Sequence, residues 1–321
     1  MVLELKFTTL DLGYTRFAFS PLWEVIASVR VLKGGGHPLH QPWVDQVRPR
    51  LLGFDWGLLG DLVPVPTRVI PGFVAPPPTT PVPDLTVELA TLLATPVEVV
   101  AAELERIPEI RTPRTAGLTD PRGLARLCDV IAEYWALALE PFWPRIVSLQ
   151  EGDILHRARR MATGGAAALF ADLEPQVRWA DDRLRLAHRH VSGQRGLRGQ
   201  GLLLVPSVFV WPRIFSITVP GWQPTLRYPP RGIATLWETR RPAGSPALAG
   251  VLGASRAWLL AELDTPASTS ELAVRTGLAA GGVSAHLTTL RAAGLVSAHR
   301  TGRYVLYART AVGESLVAAS S

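Results

Sequence analysis

The chain is poor in cysteine, lysine and long apolar runs. Cys128 is the only thiol in 321 residues, which excludes an internal disulfide and a thiolate-rich zinc site. A reducing, cytoplasmic setting is therefore the expectation. Lys6 and Lys33 are the only lysines, so nearly all of the 33 basic residues are arginine. No stretch reaches the ~18 uncharged apolar residues of a membrane-spanning helix, and no membrane partner is expected. Residues 1–7 carry Glu4 and Lys6 and lack the apolar core of a secretory signal.

What is present is a globular composition, 47% hydrophobic and 19% charged, unlike that of a disordered chain. The length favours two domains. A net charge of +6 suits contact with a polyanion. The arginine bias, alongside many Ala, Gly and Pro, also follows from a GC-rich genome.

Leu3, Leu5 and Phe7 alternate with polar neighbours, as in a short strand. Ser20-Pro21 opens a helix over 20–32, which Gly34-Gly35-Gly36 ends. A second helix is expected at 42–52. Dense prolines over 63–83 indicate an extended connector. Helices resume near Thr86 and are divided at Pro96 and Pro108; others are expected at 121–139 and 142–161, then a short Ala-rich one after Gly164-Gly165. The period then changes. Residues 177–179 and 184–186 flank Asp181-Asp182 as a hairpin, and strands are expected at 202–210, 213–219, 225–228 and 233–238. The fold class is thus an α+β N-terminal domain over 1–240, helices plus a small antiparallel sheet that the first strand is a candidate to join. A linker over 241–246 and a domain over 247–321 follow.

The last domain reads as a first helix over 247–262, a break at Thr265-Pro266, and a capping box in Ser268-Thr-Ser-Glu271. The helix that box opens ends at Gly277. A third helix over 280–293 carries Val283, Leu287 and Leu290 inward. Two strands, 295–299 and 304–308, flank the turn Arg300-Thr-Gly-Arg303. This is the order of a winged helix-turn-helix, whose third helix enters a major groove. The turn arginines suit phosphates or a minor groove, and Ser268, Thr269 and Ser270 suit a phosphate at a helix start.

The segments Ser270-Glu-Leu-Ala273, Val283-Ser-Ala-His-Leu287, Leu290-Arg-Ala-Ala-Gly-Leu-Val296 and Gly302-Arg-Tyr-Val-Leu-Tyr307 closely resemble the ArsR-type regulators. The likeness covers about a fifth of the chain. It implies a DNA-binding transcriptional regulator in which Ser284 and His286 contact DNA, Arg291 lies near the backbone and the wing arginines lie outside. The full expected set is Ser268, Thr269, Ser270, Gly282, Ser284, His286, Thr288, Arg291, Arg300 and Arg303. Two departures stand out. Ala279-Ala-Gly-Gly282 opens the third helix where relatives carry base-reading side chains, which shifts reading toward Ser284, His286, Thr288, the wing and DNA shape. The domain also lacks the cysteines of thiolate metal sensors; no metal and no cofactor is expected. Residues 11–24, 205–212 and 226–232 resemble an uncharacterised domain found ahead of such winged helices in actinobacterial regulators. The resemblance implies double-stranded DNA as partner, a homodimer on two half-sites, and repression relieved by a small-molecule effector.

Nine of the ten tryptophans precede residue 247. Trp23, Trp135, Trp179, Trp211 and Trp237 are candidates to line an effector pocket, or are core. His37-Pro-Leu-His40 is a metal pair or a loop; the basic stretch Arg183 to Arg198, with His188 and His190, is a second DNA patch or a solvated strand. Cys128 is a small buried hydrophobe or a redox thiol. No catalytic ordering of Ser, His and Asp and no nucleotide fingerprint stands out, so an enzyme is not expected. The alternatives are an enzyme or a protein-interaction module that uses the winged helix for docking or dimerisation.

Overall fold

The computed structural model describes residues 1–188, 191–218, 221–237, 246–264, 266–301 and 304–320. The chain divides into two units, Met1–Trp237 and Glu238–Ser321. All but the last residue of the expected linker at 241–246 lie outside the described residues.

The first unit is mixed α/β. It opens with β1 (Val2–Lys6), α1 (Thr9–Gly13), β2 (Arg16–Phe17) and α2 (Pro21–Arg30). Then come α3 (Gln41–Val47), α4 (Gly57–Asp61), α5 (Leu85–Leu93), α6 (Val97–Arg106), α7 (Pro113–Ala116), α8 (Gly123–Ala138) and α9 (Trp143–Phe170). Strands close the unit: β3 (Val177–Ala180), β4 (Arg183–Ala187), β5 (Gly193–Gly196), β6 (Leu203–Pro206), β7 (Phe215–Ile217) and β8 (Thr225–Tyr228).

Helix α2 is the hub. The Ser20 hydroxyl caps it by accepting from the Trp23 N–H, and Pro21 fills the first turn. All ten of its residues are buried, the mark of a helix surrounded by protein on every side. One core gathers α2, α3, α8 and the segment 208–210; a second lies among β1, β4, β6, β8 and the end of α9. The expected helix at 142–161 and the Ala-rich helix after it lie within α9, which is broken between them where Gly165 takes non-helical dihedrals, φ 63° and ψ −158°. Such a dihedral is open to glycine and strained for other residues.

The expected single antiparallel sheet is in fact two mixed four-stranded sheets, ordered β3-β4-β1-β5 and β2-β6-β8-β7. β1 joins the first, antiparallel to β4 and parallel to β5. The hairpin around Asp181 and Asp182 stands as expected, both residues at positive φ. In the second, β6 runs parallel to β2 and β8. Two strand expectations need correction. The strand from 202 stops at Pro206: the Ser207 N–H still reaches the Tyr228 carbonyl (2.8 Å), but those of Val208 and Phe209 leave the ladder for the Glu24 carboxylate. Residues 233–235 form a short 3-10 turn after Gly232, itself at φ 77°.

The proline-rich connector expected to be extended instead carries bends and a short 3-10 turn at Gly72–Val74, and Phe73 to Pro78 are buried. A buried loop must find partners for its backbone. Glu103 accepts the Phe73 N–H (3.3 Å) and the Arg227 guanidinium donates to the Ala75 carbonyl (2.6 Å). Among the described residues no single helix is long and apolar enough to cross a membrane; α5 and α6 together have the length and composition but meet at 87°.

The second unit contains α10 (Pro246–Leu252), α11 (Ala254–Glu262), β9 (Ala267–Ser268), α12 (Thr269–Thr276), α13 (Ala280–Ala292), β10 (Val296–Thr301), β11 (Tyr304–Arg309) and α14 (Ala311–Ala319). The single helix expected over 247–262 is two, parted by Gly253 at φ 84°. β9, β10 and β11 form a sheet ordered β10-β11-β9. Leu259, Leu260, Leu272, Val283, Leu287 and Leu290 pack into one core. The closing helix α14, absent from the sequence reading, is capped by Thr310, whose hydroxyl accepts from the Gly313 N–H (3.1 Å).

Candidate nucleic-acid interface

Helices α12 and α13 form the centre of the second unit's candidate surface. The capping box at the start of α12 is closed: the Ser268 hydroxyl accepts from the Glu271 N–H (3.3 Å) and the Glu271 carboxylate accepts from the Ser268 N–H (2.5 Å). Ser270 is exposed, Ser268 and Thr269 half-buried. The box uses two of the N–H groups a phosphate would otherwise meet, and it places a carboxylate at the same helix end. Both effects weaken this end as an anion site.

Gly277 ends α12 in the left-handed region at φ 67°, and three residues later α13 begins. Val283, Leu287 and Leu290 face the core. The other face carries Gly281, Gly282, Ser284, Thr288 and Arg291, all exposed, with His286 half-buried. This brings five of the expected contact residues, Gly282, Ser284, His286, Thr288 and Arg291, onto one helix. The Thr288 hydroxyl donates to the Ser284 carbonyl (2.9 Å), so its free capacity is as an acceptor. A Cβ built on Gly281 or Gly282 would meet nothing within 4 Å. Nothing inside the protein therefore requires glycine there.

The β10–β11 hairpin pairs His299 with Leu306 and Arg300 with Val305, and Arg300 is exposed near its tip. Arg303 lies outside the described residues. From Pro246 onward six arginines stand against four carboxylates. Arg309 is engaged internally, its Nε donating to the Leu263 carbonyl (2.8 Å).

The five candidate tryptophans are divided between two cores. Trp23 and Trp237 are buried in the helical core, and Trp135 and Trp211 pack half-buried against it. The Trp23 indole donates to Ser207 (3.0 Å) beneath the Arg227 guanidinium (4.0 Å), and the Trp237 indole donates to His40 Nδ1 (3.0 Å). Trp179 belongs to the other core and lines an open cavity of about 700 Å³ with Phe170, Arg178, Glu174 and Arg231.

The remaining candidates take structural parts. His40 is fully buried, and burial together with the Arg30 and His37 charges pulls its pKa down to about 3. His37 accepts from the Leu39 N–H (3.1 Å) and abuts Trp211. Among the described residues no group of three or more His, Cys, Asp or Glu side chains is placed to hold a metal ion. The Cys128 thiol is half-buried, lies 3.7 Å from the Leu89 carbonyl, and is pushed up to about 11 by burial and by Asp129. In the basic stretch Arg183 and Arg185 both pair with Glu4, and the His188 ring meets the Ser216 hydroxyl (3.0 Å). Arg189 and His190 lie outside the described residues.

Sequence reading missed a buried charged group beneath α2. Glu24 accepts from the Val208 and Phe209 N–H groups, from Ser207 and from Gln150, and burial still pushes it up to about 7. Glu88 accepts from the Ser20 hydroxyl and the Leu22 N–H (both 2.7 Å), and burial pushes it likewise to about 7. Every oxygen is occupied by the protein's own donors, so these carboxylates hold the fold and leave no open face for a substrate.

Residues 118–233, within the first unit, match a family of unknown function (DUF5937). No curated protein and no solved structure matches the chain.

Proposed function

We propose that this protein is a DNA-binding transcriptional regulator of the ArsR type, whose second unit is a winged helix-turn-helix. The observation that carries the reading is the order and register of that unit. α11, α12 and α13 follow one another, a three-residue turn joins the last two, and a hairpin closes back on β9. One face of α13 is apolar and packed; the other is exposed and uncharged until Arg291. A helix of that kind suits a major groove.

In this reading α13 reads DNA through Ser284, His286 and Thr288, while Arg291, Arg300 and Arg303 meet phosphates. The glycines at 281–282 let the DNA backbone approach the start of α13 more closely than side chains would. Two copies bind two half-sites about one helical turn apart, as a cytoplasmic repressor that an effector releases. The uncharged exposed positions Val87 and Leu93 on α5, and Val97 at the start of α6, are available for pairing of copies.

The test is binding to fragments of the protein's own genome at two salt concentrations, beside the double variant Arg300→Ala, Arg303→Ala. A single short, near-palindromic site is expected, weakened by salt and by roughly tenfold or more in the variant. Weak binding that is blind to sequence and indifferent to the variant would sink the reading. Light scattering on the free protein and on the complex reports whether two copies act together.

A further inference from the structure

We propose that the cleft along the outer edge of β3 is a binding site for a small planar aromatic carboxylate. The inference concerns the first unit alone and stands apart from the DNA-binding reading.

The argument begins with charge across a sheet. β3 is the edge strand of the sheet ordered β3-β4-β1-β5. In register, Arg178 faces Arg185, Arg185 faces Glu4, and Glu4 faces Gln194. One carboxylate thus serves several donors: Glu4 accepts from Arg183 (3.1 Å), Arg185 (3.0 Å) and Gln194 (3.2 Å). Arg178, at the open end of the row, has no hydrogen bond or ion pair among the described residues. Like charges opposed across strands are unfavourable unless a counter-charge is supplied.

The cleft, about 700 Å³, begins where that counter-charge is missing. Arg231 also lines it. The Arg231 backbone is fixed, since its N–H donates to Asp153 (3.1 Å), but its exposed guanidinium has no partner among the described residues. Asp172 also lines the cleft, yet it is engaged by His156 and by the buried Arg157 (both 3.3 Å). Glu174 also lines the cleft; burial raises its carboxyl pKa, with Arg157 opposing that shift and Asp153 adding to it. Two unpaired guanidiniums on one small cleft recognise a carboxylate best, since each offers a planar fork of donors.

One wall is flat and apolar. The half-buried Trp179 lines the cleft beside Pro229 and Pro230, and its ring stacks at 5.1 Å, planes 23° apart, on the fully buried Phe170. A planar ring on that wall replaces water at an aromatic surface. The volume lies in the range that holds one small molecule, too little for a folded partner. Ring against Trp179, carboxylate between Arg178 and Arg231, is the arrangement these residues fit.

The experiment is calorimetric titration of the full chain, without DNA, with 2-naphthoate and with its neutral isostere 2-naphthamide. Naphthoate is expected to bind about tenfold or more tightly than the amide. Arg178→Gln and Arg231→Gln should each weaken naphthoate about fivefold or more and leave the amide unchanged. Both side chains are exposed and have no partner among the described residues, so the variants should melt like the parent; if either fails to fold, the ratio of the two probes on the parent decides. Equal affinities for the two probes would overturn the proposal. So would naphthoate binding that survives both substitutions, or no naphthoate binding at millimolar concentration.

Discussion

The Glu24 carboxylate, in the first turn of α2, accepts the backbone N–H of Val208 at 2.7 Å across 184 residues of sequence. The same carboxylate takes the Phe209 N–H, the Ser207 hydroxyl and the Gln150 amide. It therefore ties the end of β6 to α2 and to α9. It also explains why the strand stops at Pro206: a buried backbone needs partners, and a carboxylate supplies them where the ladder ends.

Removing that acceptor should be costly. Glu24→Ala strands four donors and is expected to destabilise the first unit by about 3–5 kcal/mol. Glu24→Gln keeps one acceptor oxygen but turns an NH₂ group toward donors, and about 1–3 kcal/mol is expected. Urea unfolding measures both. A Glu24→Ala variant as stable as the parent would remove this carboxylate from the account of the fold.

Glu24 and Glu88 also predict a pH dependence. Burial raises both from 4.5 to about 7 in the folded protein, so the folded state holds their protons more tightly than the unfolded chain. Their stabilising contribution is full below pH 4.5, declines as pH rises toward 7, and is constant above. Glu88→Gln removes one of the two contributions. Thermal melts of parent and variant between pH 4.5 and 7.5 should converge or diverge in that window, with the parent losing more stability as pH rises. Parallel curves would show that Glu88 titrates normally.

Cys128 should be a sluggish nucleophile. With its pKa pushed up from 9.0 to about 11, its thiolate fraction near pH 8 is about a hundredfold below that of an unperturbed thiol. Alkylation by iodoacetamide should be correspondingly slow, and denaturant should restore the ordinary rate. Fast labelling of the native protein would mean an accessible, low-pKa thiol.

The glycines of α13 separate stability from function. Because a Cβ at Gly281 or Gly282 meets nothing within 4 Å, the double change to alanine should stabilise the second unit by about 0.5–1 kcal/mol per site. If α13 lies against DNA as proposed, the added methyls should lower affinity severalfold while the melting temperature rises. Affinity that rises or holds would show that the start of α13 is remote from DNA.

Gly313 is the opposite case. A Cβ there would fall 2.2 Å from the Leu295 carbonyl oxygen, and backbone cannot yield as a side-chain tip does. Gly313→Ala should cost about 2 kcal/mol or more in the second unit by forcing α14 away from Leu295. Hydrogen exchange over 311–319 would report the detachment; unchanged protection there would count against it.

Much of the second unit was legible because its signals are local. Ser268 with Glu271 marks a helix start, Gly277 a helix end, and Val283, Leu287 and Leu290 a buried face; each depends on residues within a few positions. Gly253 escaped because a lone glycine in an apolar period reads equally as tolerated or as a break. The hairpin at Asp181-Asp182 was legible for the same local reason as the caps.

The partners of the first unit's charged residues depended on tertiary structure. Glu24, Arg30, Glu88, Arg157 and Arg227 look in sequence like surface groups, and all five are buried. Their partners lie far along the chain: Arg30 donates to Gly35 but also to Phe209, and Arg227 to Ala75. Residue types and short periods marked many of the helices, strands and turns, and they singled out α13 and the β10–β11 hairpin. Only the assembled fold decided which strands pair, since pairing brings together residues as distant as Leu5 and Leu184. It also decided which tryptophans are core, and that Arg178 would end a row of charges with no ion pair among the described residues. Such facts follow from long-range contacts that burial and electrostatics select jointly, and no local pattern encodes them.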